Sequence, residues 1–327
     1  MDSFRRYICS FSENLKVDPN FGVGVAALGR ILDTKQIGVS VIQLPSGTRS
    51  SIPHAESLEE EFGYVISGQP SLWINGLSYQ LHPGHTFGFP AGTGVCHTII
   101  NDGDEPACIL NIGERTKADN QWISPLSPER SAEAGKAWWT SWPTQKMGQH
   151  PGTSGSGIVA QDPNEVPEIF FTPSLTDRNS FSYKGDNETF GKGVRLSTLM
   201  QLKMIGIHHE ILGTGERSSW PHAESLMEEF CFVLKGHPSI WINGHVLKAK
   251  PGDLVFFEPG TNLAHTVMNE TSEPIEYLGF GPTSLSCPNN RIYYPLHPAR
   301  NEECRARGDL WEERPETRLG PHNGRPS

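Results

Sequence analysis

A chain of 327 residues with 36% hydrophobic and 20% charged side chains has the apolar content to pack cores of about two domains. Its net charge of −10 and the lack of a Lys/Arg cluster exclude a nucleic-acid role, which needs grouped cations against phosphate. No apolar run approaches the roughly 20 residues of a membrane span, and the 34 glycines and 26 prolines imply many turns and short elements, hence an all-β chain.

In chain order, the N-terminal MDSFRRYICSFSENLK has two arginines with no apolar stretch behind them and does not read as a signal peptide. The runs IGVSVIQL, FGYVIS, SLWIN, YQLHP, TFGFPAG, HTIIN and CILNIGE are β-branched or aromatic and bounded by Gly, Pro, Asn or Asp, so each predicts a short strand. Asn75-Gly76 predicts a two-residue type I′ hairpin turn, and Asn243-Gly244 predicts another. SAEAGKAWW (131–139) predicts a short helix. The Gly/Ser/Pro-rich GQHPGTSGSG (148–157) reads as a flexible linker or exposed loop, and the charged tail from about Arg305 as extended or poorly ordered.

The chain repeats itself. Gly47–Gly76 and Gly215–Gly244 align without a gap at an offset of 168 residues, and between Gly47 and Gly68 15 of 22 positions are identical. A duplication of one domain follows. The expected organisation is an N-terminal domain over 1–130, a linker over 131–165, a C-terminal domain over 166–300 and a tail over 301–327. Many short antiparallel strands in each copy predict a sandwich or jelly roll.

Within each copy a His, a Glu two residues on and a second Glu five further precede the hairpin: His54, Glu56 and Glu61, then His222, Glu224 and Glu229. A lone His follows at His97 and His265. Residues i and i+2 of a strand share a face, so His54 with Glu56, and His222 with Glu224, point to one side. Carboxylates and imidazoles on a buried face are costly unless compensated, and a divalent cation neutralises the carboxylates at once. All eight residues are therefore candidate metal ligands; nitrogen and oxygen donors suit Fe(II), Zn or Mn, one ion per copy. Glu56 and Glu224 have the alternative role of orienting a ligand histidine. Glu60 and Glu228 alternate to the other face and are expected to be solvated. Trp73 and Trp241 are expected in the core.

This spacing resembles the cupin superfamily. His54, Glu56, Glu61 and Gly68, and His222, Glu224, Glu229 and Gly236, follow that family's first motif. Pro90, Gly92, His97 and Asn101, and Gly260, His265 and Asn269, follow its second, with its Pro-Gly-Asp turn at Pro251-Gly252-Asp253. The resemblance spans about 35–115 and 203–283 and implies two tandem cupin barrels of the double-stranded β-helix, or jelly-roll, type. Two departures stand out: Glu56 and Glu224 occupy the family's usual second-histidine position, and the spacer before His97 and His265 is two residues longer than usual.

The copies also differ. The second has His208, His209 and Glu210 where the first has Ser40, Val41 and Ile42. Strand neighbours alternate, so one of His208 and His209 faces inward as a candidate general base beside the metal; packed or surface histidines are the alternative. The first copy offers Tyr64, Cys96 and His85 instead, and the second is the one expected to be catalytic. The resemblance implies a metal-dependent enzyme on a small organic molecule, since two-domain cupins include dioxygenases, decarboxylases and aminohydrolases. Dioxygenase-type oxidoreductase chemistry is the reading carried forward, with Lewis-acid isomerase, lyase, decarboxylase or hydrolase chemistry, and a non-catalytic metal-binding or storage cupin, as rivals. A small-molecule substrate, no nucleic-acid or membrane partner and a possible homodimer complete the expectation. The six cysteines form no CxxC pair or regular framework and read as reduced thiols of a cytoplasmic protein.

Overall fold

The computed structural model describes residues 2–18, 22–156, 170–171, 178–183 and 187–326. Each copy folds into two facing sheets, as the short, turn-bounded β runs dictate. In the first copy the larger sheet holds Ile37–Leu44, Glu61–Ser67, Thr86–Phe89 and Ala107–Glu114, and it faces a sheet of Thr48–Arg49, Ser71–Ile74, Leu77–Gln80 and His97–Asn101. The second copy repeats this with Ile205–Leu212, Glu229–Lys235, Asp253–Phe257 and Ile275–Pro282 facing Ser239–Ile242, His245–Lys248 and His265–Met268. Both expected hairpin turns form: Asn75 and Gly76 have φ of 45° and 82°, Asn243 and Gly244 of 48° and 86°.

Two strands cross the expected domain boundaries. Ile8–Ser10 pairs with Asp253–Phe257 of the second barrel, and Phe170–Phe171 pairs with Thr86–Phe89 of the first. The outward faces of the two larger sheets join in one apolar cluster that contains Ile37, Val39, Val41 and Phe62 together with Leu196, Met200, Ile205 and Ile207. That contact corrects the reading of Glu60 and Glu228 as solvated. Both are buried, 3% and 2% exposed. Glu60 accepts the backbone N–H groups of Lys203 (2.7 Å), Met204 (2.9 Å) and Ile205 (3.1 Å). Glu228 does the same for Lys35 (2.5 Å), Gln36 (2.9 Å) and Ile37 (3.1 Å). The other face of the strand is covered by the sister domain, whose chain start supplies the donors a buried carboxylate needs. Glu228→Ala orphans three N–H groups and is expected to destabilise the chain by about 3 kcal/mol, read as the shift in urea midpoint at constant m; Glu228→Gln should recover part of the loss.

Of the two expectations for the tail, extended or poorly ordered, the chain beyond Arg307 meets the first, and it is held in place. Pro298–Arg307 is helical, and the chain beyond it lies over the second barrel. Gly320 N–H donates to Asn243 O (2.8 Å), Trp241 Nε1 to His322 O (2.9 Å) and Arg217 Nη1 to Gly324 O (2.7 Å). The supposed linker does the same on the first barrel: Gly148 N–H donates to Asn75 O (2.6 Å), Trp73 Nε1 to His150 O (2.9 Å) and Arg49 Nη1 to Gly152 O (2.6 Å). A Cβ at Gly148 or Gly320 would come within 2.5 Å of the opposing glycine's backbone, so only glycine allows this approach. Residues 157–165 of the expected linker lie outside the described residues. The helix expected over 131–139 forms as Ser131–Ala134 followed by a 3-10 turn, Gly135–Ala137. Trp73 and Trp241 are fully buried. The six cysteines are unpaired and buried. Among the described residues no helix is long and apolar enough to cross a membrane.

Candidate metal centres

Backbone pairing brings the two histidines of each copy together. His97 N–H donates to His54 O (2.9 Å) and His265 N–H to His222 O (2.9 Å), so each pair sits side by side in an antiparallel bridge. The glutamate comes from the opposite sheet. His54, Glu61 and His97 place donor atoms within 4.8 Å of one another, as do His222, Glu229 and His265. Glu61 Oε2 lies 2.7 Å from His97 Nε2 and 3.9 Å from His54 Nε2. Glu229 Oε2 lies 3.0 Å from His265 Nε2 and 3.5 Å from His222 Nε2.

The rings are held for ligation. Nδ1 of His54 contacts Ile52 O and Nδ1 of His222 contacts Trp220 O, each at 2.8 Å, which leaves Nε2 directed at the centre. Phe89 stacks on His97 with centroids 3.5 Å apart, and Phe257 on His265 at 3.8 Å. Glu229 Oε2 is buried and makes no well-aligned hydrogen bond, its neighbours being the two imidazoles, so a cation would satisfy it. Burial opposes ionisation of Glu229, yet His222 and His265 outweigh it and hold the carboxyl far below its usual range. Burial likewise opposes the charge on His222, but Glu229 raises it to about 9. The residues therefore fit a divalent ion. At pH 7 a metal entering the second barrel displaces the proton of His222. Adding Zn(II) to unbuffered apoprotein is thus expected to release about one proton there, measurable with an indicator dye; pH-independent uptake would contradict it.

Glu56 and Glu224 stand outside these donor sets. Glu56 Oε1 is 3.9 Å from His54 Nε2, while its Oε2 accepts from Asn120 Nδ2 at 2.5 Å. Glu224 is bonded in the same way by Asn290. Burial raises both carboxyls to about 7. Each flanks a ligand histidine, the alternative role the sequence left open.

The strand carrying His208, His209 and Glu210 splits its side chains as alternation requires. His208 and Glu210 line a cavity of about 460 Å³ inside the second barrel, shared with His222, Glu229 and His265. His209 does not line it and is not placed to act as a base. It packs on the other face, with Nδ1 2.6 Å from Arg178 Nη1 and Nε2 3.7 Å from Glu276 Oε2. Burial and Arg195 push His208 down to about 4, so it is neutral at pH 7. Burial raises Glu210 to about 7. Tyr277, Cys231 and the exposed Arg195 complete the polar wall. Strand pattern alone gives Glu210 no role and passes over Tyr277 and Arg195; the divergence of the duplication at those positions, from Ile42, Ile109 and Ala27, is the signal that marks them.

The first barrel is built differently. Ile42, Ile109, Phe87 and Phe89 belong to its apolar core cluster. Gly63 stands where the second copy has Cys231, and the Phe87 ring fills that space, since a Cβ at Gly63 would lie 2.0 Å from it. Neither Tyr64, which packs against the inter-domain cluster, nor Cys96, buried among Trp73 and Trp139, nor His85, at the Pro83-Gly84 turn, contributes to the first donor set.

Two facing-sheet barrels, each with a histidine–glutamate–histidine centre at the end of a hairpin, define a two-domain metal-binding β-barrel protein. The cupin-domain family model matches residues 40–113 and 208–280, one match in each copy. Each copy therefore carries a cupin domain, and their tandem arrangement is that of a two-domain cupin protein. Its fold is similar to that of a mutant of Bacillus subtilis oxalate decarboxylase, at 17% identity and a TM-score of 0.55, over 94% of this chain and 85% of that one. It is also similar to Lactobacillus farciminis oxalate decarboxylase in its formate complex, at 15% identity and 0.54, over 95% and 96%. A putative glyoxylate-induced protein of Pseudomonas aeruginosa matches at 12% and 0.58, over 84% and 88%. No curated protein sequence matches this chain significantly.

Proposed function

We propose that this protein is a metal-dependent enzyme whose second barrel acts on a small organic molecule. One observation carries the reading: His222, Glu229 and His265 open onto a cavity of about 460 Å³ that also holds His208, Glu210 and Tyr277, whereas the matching positions of the first barrel are Ser40, Ile42 and Ile109. A structural barrel has no need of a polar interior, because each buried polar group carries a desolvation cost. The second barrel retains that cost and surrounds space of substrate size.

A bound divalent ion would supply Lewis acidity and, if redox-active, a site for O2. The protein's own groups do the rest. Arg195 at the rim attracts and orients an anionic substrate. Glu210, with its carboxyl near 7, takes a proton from the substrate. Phe230, Phe257 and Phe280 exclude water from the wall. Two imidazoles and one carboxylate leave open positions of the kind used by non-haem Fe(II) oxygenases, which favours dioxygenase-type chemistry. A second reading, loss of CO2 without O2 consumption, is favoured by the fold likeness to oxalate decarboxylases together with the rim arginine. The test is a screen of phenols, enols, and keto and dicarboxylic acids against Fe(II)-, Mn(II)- and Zn(II)-loaded protein, following O2 uptake and CO2 release under air and nitrogen. Substrate-dependent O2 uptake supports the oxygenase; equal turnover with CO2 release under nitrogen supports the decarboxylase; no turnover of any class with both centres loaded favours a binding protein.

A further inference from the structure

The duplication supplies an internal comparison on the flank of each centre, beside His54 and His222. In the second barrel that flank is filled by the protein itself. Arg217 is buried and Glu188 grips it through two contacts of 2.6 Å. Trp220 stacks between Tyr183 and His297, each with centroids 4.1 Å away. Tyr294 lies 5.7 Å from the His222 ring, and Arg300 sits over Tyr183 and Tyr294.

In the first barrel the two arginines remain and, among the described residues, the filling is gone. Arg49 and Arg130 match Arg217 and Arg300, but Ile52 replaces Trp220 and Ser124 replaces Tyr294. Arg49 donates to Gly152 O and has no carboxylate partner among the described residues. Arg130 pairs with the exposed Glu133 at 3.3 Å, as Arg300 does with Glu303, and the Nε of each is buried without a hydrogen bond. The result is a cavity of about 420 Å³ with Arg49, Arg130, Ser51, Ile52, Trp122 and Ser124 on its walls and His54 at one end. Arg49, a half-buried guanidinium with no carboxylate partner among the described residues, beside an indole face and an aliphatic wall, is chemically incomplete.

We propose that this cavity binds a small carboxylate with a flat apolar body. Its carboxylate stands where Glu188 stands in the second copy, and its body lies where the rings of Trp220 and Tyr294 lie. The size is within the range of small-molecule sites, and a flat ring has Trp122 to pack on and a guanidinium to face. The site is separate from the second-barrel cavity and does not depend on the catalytic reading.

The test uses the full-length protein and 2-naphthoate as probe, with 2-naphthamide as the neutral control, by titration calorimetry. Binding of naphthoate is expected, with the amide and Arg49→Gln each weakening it about tenfold or more. The double variant Ile52→Trp/Ser124→Tyr copies the second barrel's filling and is expected to abolish binding while keeping the melting temperature. Absence of naphthoate binding up to about 1 mM, equal binding of acid and amide, or unchanged binding in the filled variant would overturn the proposal. So would loss of binding in Arg195→Gln but not in Arg49→Gln, because the probe would then sit in the second-barrel cavity. Should the double variant fail to fold, Arg49→Gln and the amide decide the matter alone.

Discussion

Glu229→Ala is expected to empty the second barrel of metal and lower turnover about a thousandfold, while Glu61→Ala empties the first barrel and leaves turnover within a few-fold. The magnitude follows from the charge stabilisation a divalent ion supplies, several kcal/mol, at about 1.36 kcal/mol per tenfold. The asymmetry follows from what surrounds each triad. Around Glu229 there is a cavity with His208, Glu210 and Tyr277; the cavity of about 340 Å³ beside Glu61 has Ser40 in place of His208, while Ile42 and Ile109 belong to the apolar core cluster. Metal stoichiometry by mass spectrometry should fall from two to one in each variant, since no residue belongs to both donor sets. Loss of both ions in either variant would mean that the centres depend on each other, a route the reciprocal clamps of Glu60 and Glu228 could provide. Glu224→Gln should keep its metal within about tenfold, because the carboxylate is held by Asn290 and flanks His222 rather than joining the donor set. Loss of the ion in Glu224→Gln would place that glutamate among the ligands.

The donor sets were legible because the duplication repeats them: His54, Glu61 and His97 recur at one offset, and strand alternation puts such residues on one face. The packing of one domain on the other was not legible. Alternation placed Glu60 opposite Glu61 correctly, but which surface covers that opposite face depends on how two barrels dock. Only the apolar row Ile37, Val39 and Val41, repeated as Ile205 and Ile207, hints that this face is buried. The seating of the tail and of the 148–157 segment on the barrels was missed for a different reason. Their correspondence continues past the barrels, with Pro125-Leu126 and Pro295-Leu296 at an offset of 170 and Trp139 and Trp311, Gly148 and Gly320 at 172. Small insertions shift the register, so an ungapped comparison at 168 loses it. Composition alone, rich in Gly, Pro and charge, then reads as exposed, extended or poorly ordered chain and gives no sign that Trp73 and Trp241 each find their hydrogen-bond acceptor there.

Glu210→Gln is expected to cut turnover by about 10²- to 10⁴-fold and to remove the rise of activity through pH 7, while making the protein more stable at alkaline pH. The carboxyl lies on the cavity wall, and burial raises it to about 7, against the pull of Arg178. As a base it works ionised, so turnover in the native enzyme should climb as pH passes 7. The stability effect has the opposite sense. The folded protein holds this proton more tightly than the unfolded chain, whose carboxyl titrates near 4.5. Stability therefore falls as pH rises from about 4.5 to 7, and the full penalty, about 3 kcal/mol, applies above 7. Glutamine never ionises, so the variant should melt higher than the native protein at pH 8 and like it at pH 4.5. The duplication gives this position a built-in partner. Gly193 pairs with Glu210 across the sheet, and a Cβ there would meet Glu210 Oε2 at 2.5 Å; in the first copy the same pair is Val25 and Ile42. Gly193→Ala should thus push the carboxylate from its place and reproduce the loss of turnover with the residue still present. Native activity and pH profile in both variants would remove Glu210 from the chemistry and leave its raised carboxyl as a consequence of burial alone.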